Sequence, residues 1–545
     1  MFHSFYSGHK EIFLKISSIL LVVLFFVAIE VLVRFIFPAK AIDHMIDLGP
    51  INLFSKQMIK GETWYRITNK NAYNDRNVLF REKKEKDQIR VVCLGGSASA
   101  GWPHPGEEIY SKYLEKTLRK IYPEKKIEII NCSAHGFASY RIRQVFETIL
   151  PFDPDAVIVW SGNNEFLEGR NYRTSELKNS LIRFRNNFRS LQLIRRLFVK
   201  HRYDDTPDVA ETFWKKVNEE ALELRSDPDQ FAKVKEHYQE SLEGMVEEAR
   251  QSDVKLMVMT VPANLRDWEP NVSYVGLPDA DSLRWASQFR EGKKNYLASK
   301  YADAVTTLER AHQIAPLHAE TMYWMGKSYE KLNDTIQALD YYVKARDFDY
   351  NPFRAISDFN NILRALATSH PDVVLLDMEK IIIDYAHKGI PGFDLFLDYV
   401  HPTRDGNLVI ALEAANQIIR TDLLSIRPHS PLMTLNQVKD INTSVYRDED
   451  DVFLQMTRFS LCCMTHQYYS ALHFAQQIKS KIPPQLLEND PSGKATLVLD
   501  AIRTFQAYAD LEQKSILGEP TPEEEMNMKN AIRAFYTKHF PYGVF

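Results

Sequence analysis

The chain has 545 residues, several times the length of an ordinary domain, so a single small module is excluded. Hydrophobic residues make up 45% and charged residues 26%, which is typical of a folded protein with a core. The 68 Lys and Arg residues nearly balance the 72 Asp and Glu residues, so the formal charge of -4 gives no reason to expect nucleic acid as a partner. Four cysteines in this length exclude a disulfide-stapled scaffold.

An apolar run of 22 residues near the N-terminus, 16–37, is long enough to cross a bilayer as a helix. Its one Glu and one Arg are four positions apart and can pair. A cleaved secretory leader is the alternative, because residues 39–41 resemble a cleavage site, but the apolar core of a leader is usually shorter. We therefore predict a transmembrane signal anchor over 12–37. We further predict a single-pass membrane protein whose folded domain lies on the exported side, periplasmic or extracellular.

A linker is assigned to 38–86, and beyond it five short apolar runs alternate with helical stretches. Near-continuous Val, Ile and Leu runs separated by helices are typical of a parallel sheet that is covered on both faces. We predict a three-layer α/β/α sandwich with a five-stranded parallel sheet. Ligands bind beyond the carboxyl ends of such strands, so the chemistry is expected in the residues that follow each strand. The predicted strands are Ile89–Leu94, Ile127–Asn131, Ala156–Trp160, Val254–Val261 and Val373–Leu376.

The long gap between the fourth and fifth strands contains an internal repeat with a period of 34 residues. A period of this length, with small residues where two helices cross, resembles tetratricopeptide repeats; an unrelated helical hairpin is the alternative. The insertion, 281–350, divides the α/β domain into 87–280 and 351–424, and a helical C-terminal domain is predicted over 425–545. We expect the insertion to cap the cleft and to select the substrate or bind a protein partner. The repeated small residues are Gly292, Ala304 and Ala311, which recur as Gly326, Ala338 and Ala345.

The first strand leads directly into a glycine-rich turn that carries Ser97. A serine in a tight turn at the end of a parallel strand presents its hydroxyl at the mouth of the sheet. The turn lacks the last glycine of the G-x-S-x-G elbow, and no Lys-Ser/Thr pair follows at phosphate-loop spacing. Three other strand ends add polar blocks: N-C-S-A-H-G at 131–136, G-N-N-E at 162–165, and D-Y-V-H at 398–401.

Together these blocks resemble the SGNH (GDSL-type) hydrolase superfamily, which is named after Ser, Gly, Asn and His in this order and has a flavodoxin-like sheet. The resemblance implies that Ser97 is the nucleophile, that His401 is the general base and acid, and that Asp398 orients the imidazole. It implies an oxyanion hole formed by the Ser97 and Gly136 backbone N–H groups and the Asn164 side-chain amide. No metal or organic cofactor is implied. The sequence departs from the family pattern at Gly96 and Glu165, where the family usually has aspartate.

The function implied by the resemblance is cleavage of an oxygen ester through an acyl-serine intermediate, so the expected partner is an ester substrate. Because a signal anchor would place the domain against cell-surface material, an acylated carbohydrate with O-acetyl groups is the first candidate. Two alternatives stay open. An O-acyltransferase would use the same triad and pass the acyl group to a sugar hydroxyl. A catalytically inactive membrane scaffold would bind a protein partner through the repeats.

Two further features allow a structural and a functional interpretation. Segment 170–202 has ten Lys or Arg residues against one acidic residue, and apolar side chains alternate with its arginines. It could lie on an anionic membrane surface, although an amphipathic helix packed on the sheet domain is favoured.

Cys93 and Cys132 lie in or beside predicted strands and are interpreted as small core residues; a disulfide between them is the alternative.

Overall fold

The structure is a computed structural model that describes two compact units, 1–51 with 170–205 and 52–169 with 206–545. In the first unit only residues 20–21 and 24–32 are described, and they are helical. The predicted anchor and basic segment otherwise lie outside the described residues. No helix in the described part of the chain is long and apolar enough to cross a membrane. The described residues of the second unit are 53–68, 78–104, 106–167, 225–274, 276–351, 353–443, 452–481, 490, 493–517 and 520–539.

A small antiparallel sheet occupies residues that the sequence assigns to the linker, 38–86. Strands β1 (Phe54–Ile59) and β2 (Glu62–Ile67) form a hairpin, and β3 (Leu79–Arg81) pairs with β2. The two hairpin residues, Lys60 and Gly61, both have positive φ, as the tight primed turns require. This sheet corrects the linker prediction over those residues: three short strands with few continuous apolar residues leave little signal in the sequence.

The main sheet has five parallel strands in the order β5-β4-β6-β7-β8, which confirms the predicted fold class. In chain order this is 2-1-3-4-5, the flavodoxin-like arrangement. Its central strands are buried on both faces, which explains why the sequence of each is a continuous run of apolar residues. The observed strands are β4 (Gln88–Gly95), β5 (Lys126–Asn131), β6 (Ala156–Trp160), β7 (Lys255–Met259) and β8 (Val373–Leu376).

Helices cover both faces of this sheet and complete the three layers. Helices α2 and α11 pack together on one side, while α3, α4 and α9 pack together on the other. The one-turn helix α1 (Ser97–Ala100) begins directly after β4. The remaining helices of the α/β domain are α2 (Tyr110–Ile121), α3 (Ser139–Ile149), α4 (Pro228–Gln251), α9 (Ser357–Ser369), α10 (Met378–Tyr385) and α11 (Arg404–Arg420).

The insertion between β7 and β8 forms two helical hairpins with equivalent packing. A Cβ on Gly292 would lie 2.6 Å from Leu308, and a Cβ on Gly326 would lie 3.0 Å from the ring of Tyr342. The two contacts are related by the 34-residue period, so each glycine allows its two helices to cross closely. Membership of the tetratricopeptide family stays a prediction. The four helices are α5 (Asp279–Leu297), α6 (Tyr301–Ile314), α7 (Ala319–Lys331) and α8 (Thr335–Asp347).

The C-terminal region is helical in its described residues. Its helices α13, α14, α15 and α16 pack in succession, and α15 also contacts α5 of the insertion. Lys293 of α5 forms an ion pair with Glu512 of α15 at 2.7 Å. The C-terminal helices are α12 (Leu435–Ile441), α13 (Val452–Met464), α14 (Tyr468–Lys481), α15 (Lys494–Leu517) and α16 (Pro522–His539).

An ion pair between α3 and α4 gives the fold a pH-sensitive contact. Arg143 crosses Gly244, where a Cβ would lie 2.0 Å from the guanidinium carbon, and its Nε lies 3.0 Å from Glu248 Oε1. Burial raises the pKa of Glu248 to about 7, although Arg143 opposes the shift. The folded protein therefore keeps a proton on this carboxyl at pH values where the unfolded chain has lost it.

We expect Glu248→Gln to remove part of the pH dependence of folding stability. Because the folded state binds more protons between about pH 4.5 and 7, the wild-type free energy of unfolding falls as pH rises through that window. The glutamine variant lacks this decrease. The difference in free energy of unfolding, variant minus wild type, should therefore be up to about 3 kcal/mol more positive at pH 7.5 than at pH 4.5. Urea unfolding at the two pH values measures it. Glu247→Gln, an exposed neighbour, is the control, and parallel pH dependence of wild type and Glu248→Gln would contradict the expectation.

Candidate active site

Ser97 lies where β4 turns sharply into α1. Gly95 allows this turn, because a Cβ there would lie 2.4 Å from both the Ser99 side chain and the Trp160 carbonyl oxygen of β6. Ser97 is partly exposed, whereas the three residues that follow it are buried. The turn therefore presents the Ser97 hydroxyl at the carboxyl edge of the sheet, where ligands bind in this fold.

The loop before α11 brings His401 and Asp398 to the same edge. His401 Nε2 lies 2.8 Å from Ser97 Oγ, and His401 Nδ1 lies 2.6 Å from Asp398 Oδ2. Asp398 is fully buried, and its other carboxylate oxygen accepts hydrogen bonds from the Val400 and His401 backbone N–H groups at 2.8 Å. The three predicted side chains are thus in hydrogen-bond contact although 304 residues separate Ser97 from His401.

Of the residues predicted for the oxyanion hole, Asn164 lies against the turn that carries Ser97, and Gly136 lies in the loop that Asn164 contacts. The Asn164 side-chain amide donates one hydrogen bond to the Phe137 carbonyl oxygen at 3.0 Å, which leaves its second N–H to offer to a ligand. A Cβ on Gly96 would lie 2.2 Å from Asn164 Nδ2, so this amide packs against the residue that precedes Ser97. Gly136 precedes Phe137 and has a φ of +70°, a conformation that favours glycine.

The two departures from the family pattern have structural explanations. Gly96 has no room for a side chain, because Asn164 occupies the space where an aspartate would begin. Glu165 is buried and accepts hydrogen bonds from the backbone N–H and the hydroxyl of Ser139, at 2.8 and 3.0 Å. Since Ser139 begins α3, this carboxylate stabilises the start of that helix.

Two residues near the site were not predicted from the sequence. The Asn264 side-chain amide donates to the Asp398 carbonyl oxygen at 3.0 Å and so holds the loop that carries the carboxylate. The Trp102 ring lies edge-on to the His401 imidazole, with 4.7 Å between ring centroids, and 6.2 Å from the His135 ring. Asn264 follows β7 just as the other polar blocks follow their strands, so its position in the sequence could have identified it. Nothing in the sequence distinguishes Trp102 from an ordinary core aromatic residue.

Among the described residues, no group of three or more His, Cys, Asp or Glu side chains could hold a metal ion. Cys93 and Cys132 are free and buried rather than joined in a disulfide. Burial raises the pKa of the Cys93 thiol to about 12 and raises that of Cys132 further. Both thiols are therefore protonated core residues.

Comparison with known proteins adds little to this geometry. No family model matches the chain, and no curated protein matches it. Among solved structures, a protein from Desulfitobacterium hafniense DCB-2, described as lipolytic and of the G-D-S-L family, is 12% identical; the alignment covers 60% of this chain and 99% of that one. The TM-score is 0.27, so this likeness supports no argument about function.

Because Asn164 is predicted to be one of the oxyanion donors, we expect Asn164→Ala to lower kcat for a chromogenic acetyl ester by about a hundred- to a thousandfold. The neighbouring Asn163→Ala is the matched control: its side-chain oxygen accepts from the Ala355 backbone N–H at 3.0 Å, so its loss affects mainly stability. Steady-state kinetics with a thermal unfolding curve for each variant separate the two effects. A folded Asn164→Ala protein with nearly wild-type kcat would remove this residue from the oxyanion hole.

Proposed function

We propose that the chain is a membrane-anchored serine esterase that hydrolyses an oxygen ester through an acyl-enzyme on Ser97. One observation carries the proposal: hydrogen-bond distances of 2.6 and 2.8 Å link Asp398 through His401 to Ser97. A nucleophile in contact with a base that a third group orients is the arrangement that acyl transfer on serine requires. The partly exposed hydroxyl lies at the edge of the sheet where a substrate can reach it.

In the first half of the reaction, Ser97 Oγ attacks the ester carbonyl carbon while His401 Nε2 takes the hydroxyl proton. Asp398 accepts the Nδ1–H hydrogen bond and stabilises the imidazolium that forms. The Ser97 and Gly136 N–H groups and the Asn164 amide stabilise the oxyanion. When the intermediate collapses, the C–O bond to the alcohol breaks, and His401 protonates the departing oxygen.

In the second half, water replaces the alcohol. His401 Nε2 takes one proton from the water while the water oxygen attacks the acyl carbon of acyl-Ser97. The second tetrahedral intermediate then expels Ser97 Oγ, which recovers its proton from His401, and the acid leaves. An acceptor hydroxyl in place of water at this step would make the protein an O-acyltransferase. Whether the ester is hydrolysed or the acyl group is transferred therefore depends on whether water or a sugar hydroxyl reaches the acyl-enzyme.

Attachment to a membrane is supported by the 22-residue apolar run at 16–37. In its described residues, 20–21 and 24–32, the chain is helical and most of the large apolar side chains are exposed. An exposed apolar surface of this kind suits a lipid environment better than water. With the α/β domain on the exported side, we propose an acylated cell-surface carbohydrate, O-acetylated in the first instance, as the substrate.

The insertion adjoins the loop that carries Asn264 and is proposed to act in substrate or partner selection. Tyr323 of α7 donates a hydrogen bond to the Arg266 carbonyl oxygen at 2.8 Å. Leu265 and Ile390 share a buried cluster with Met322 and other residues of the hairpins. The hairpins thus pack directly on the loops at the carboxyl edge of the sheet.

Product analysis with the full-length protein in detergent tests the proposed function. Acetylated polysaccharide is incubated with wild type and with Ser97→Ala, and free acetate and acetylated acceptor are measured with and without an added sugar. Free acetate released only by wild type is the expected result. Transfer to the sugar without free acetate would favour the O-acyltransferase, and no reaction on any ester by a folded protein would favour the inactive scaffold.

A further inference from the structure

We propose that the C-terminal helices α13 and α14 form part of the catalytic unit, because they hold in place the loop that carries Asp398 and His401. Phe474 of α14 is then a positioning residue for these two side chains. The inference rests on the proposed function, since it assigns Asp398 and His401 a role in catalysis. It gives the C-terminal region a role that its sequence does not indicate.

The loop, residues 390–403, has little regular structure of its own. It contains a single isolated bridge, between Phe396 and Pro402, and lies between a short 3-10 turn and α11. Its inner side is held by Asn264, whose amide donates to the Asp398 carbonyl oxygen and whose backbone N–H donates to the Tyr399 carbonyl oxygen, both at 3.0 Å. A loop without a strand or helix depends on such neighbours for its position.

The outer side of the loop is covered by the C-terminal helices. Tyr399 and Val400, which lie between Asp398 and His401, belong to one buried apolar cluster with residues of α13 and α14. From those helices the cluster takes Phe459, Cys462, Phe474 and Ile478, among others. The Tyr399 ring also lies 5.8 Å from the His401 ring, so movement in the cluster would reach the imidazole.

Direct contacts connect α13 and α14 to the beginning of the loop. The Phe474 ring meets the Phe393 ring nearly edge-on, with 5.0 Å between centroids. The Arg458 guanidinium of α13 lies over both rings, 5.7 Å from Phe393 and 5.1 Å from Phe474. Cys462 of α13 lies in the same buried cluster as Tyr399 and Val400 of the loop. The helices therefore contact the loop at Phe393 and share a buried cluster with Tyr399 and Val400, the two residues between Asp398 and His401.

The C-terminal bundle offers a matched pair of variants. Phe474 and Phe535 are both almost fully buried in the same apolar cluster, at 2% and 4% exposure. Each makes a ring contact with 5.0 Å between centroids, Phe474 with Phe393 of the loop and Phe535 with Phe505 of α15. Phe→Leu at either position removes a similar apolar volume. The ring of Phe474 contacts the loop at Phe393, whereas the ring of Phe535 contacts Phe505 and Tyr536 of the C-terminal helices.

The experiment compares Phe474→Leu with Phe535→Leu in the full-length protein. We expect both to lower the midpoint of thermal unfolding by similar amounts. Phe474→Leu should also lower kcat for a chromogenic acetyl ester by about ten- to a hundredfold with little change in KM, because displaced catalytic groups affect the chemical step. Phe535→Leu should keep kcat within about threefold of wild type. Equal kcat in the two variants, per folded molecule, would overturn the proposal.

A second measurement does not depend on activity. The His401 Nδ1–H that hydrogen-bonds Asp398 is expected to give a downfield proton NMR signal, assigned by its loss in His401→Ala. We expect the signal to broaden or vanish in Phe474→Leu and to persist in Phe535→Leu. An inactive wild type would count against the proposed function alone, whereas an unchanged signal in Phe474→Leu would overturn the positioning role of α14.

Discussion

On the proposed function, we expect Ser97→Ala to lower kcat for ester hydrolysis on the order of 10⁶-fold, and we expect His401→Ala to have an effect of similar size. The reason is geometric: Ser97 Oγ and His401 Nε2 are 2.8 Å apart and act as one unit, so either loss removes the activated nucleophile. The double variant should be no slower than the single variants, because residues that act together are strongly non-additive. Single-turnover and steady-state kinetics on a chromogenic acetyl ester measure these values.

Ser99→Ala is the matched control for Ser97→Ala. Ser99 lies two positions later on the same turn, is fully buried, and bonds through its hydroxyl to Tyr110 and Ser133 at 3.1 and 2.8 Å. Its loss should cost stability and leave kcat within about tenfold of wild type. A Ser97→Ala protein that still hydrolyses the ester faster than Ser99→Ala would remove Ser97 from the reaction.

We expect Asp398→Asn to lower kcat by about 10⁴-fold while the protein remains folded. An asparagine still offers an oxygen to the Val400 and His401 N–H groups, so the local turn can persist. Its amide N–H₂, however, faces His401 Nδ1, which lies 2.6 Å from the present carboxylate oxygen. The imidazole would then adopt the tautomer with the proton on Nε2, which cannot accept the Ser97 proton.

Asp394→Asn provides the comparison for this prediction. Asp394 lies four residues earlier in the same loop, is partly exposed, and pairs with Arg266 at 2.8 Å rather than with His401. It should retain kcat within a fewfold of wild type. A measurement across pH 5–9 shows whether the activity that remains in Asp398→Asn rises with hydroxide, as expected when the general base no longer works. Wild-type kcat in Asp398→Asn would show that the imidazole needs no carboxylate partner.

The main sheet could be predicted because a parallel sheet buries both faces of its strands. That burial requires continuous apolar runs such as Val91–Leu94, and the runs mark the strands without any alignment. The topology then brings the ends of β4, β5 and β6 to one edge. The polar blocks after these strands were therefore enough to predict that Asn164 lies close to the turn that carries Ser97, and a Cβ on Gly96 would lie 2.2 Å from Asn164 Nδ2.

Other features depend on contacts between distant residues that leave no local pattern. The small sheet β1–β3 is stabilised by aromatic contacts such as Phe54 with Phe152, 5.2 Å between centroids. Buried Arg90 of β4 also donates to the Arg81 carbonyl oxygen of β3 at 2.8 Å. The contact of Phe474 with the catalytic loop joins residues 81 positions apart along the chain. The sequence predicts that a phenylalanine on an apolar helix face is buried. Only the folded structure shows which residues it packs against.

The central claim is that Ser97 is an activated nucleophile, and labelling with a fluorophosphonate probe tests it most directly. An activated serine reacts with such a probe, whereas an ordinary hydroxyl does not react appreciably. Full-length protein in detergent, shown to be folded by its thermal unfolding curve, is labelled, digested and mapped by mass spectrometry. We predict one modified peptide with the label on Ser97, absent from His401→Ala and present in Ser99→Ala. No label on Ser97 in folded wild-type protein would contradict the account.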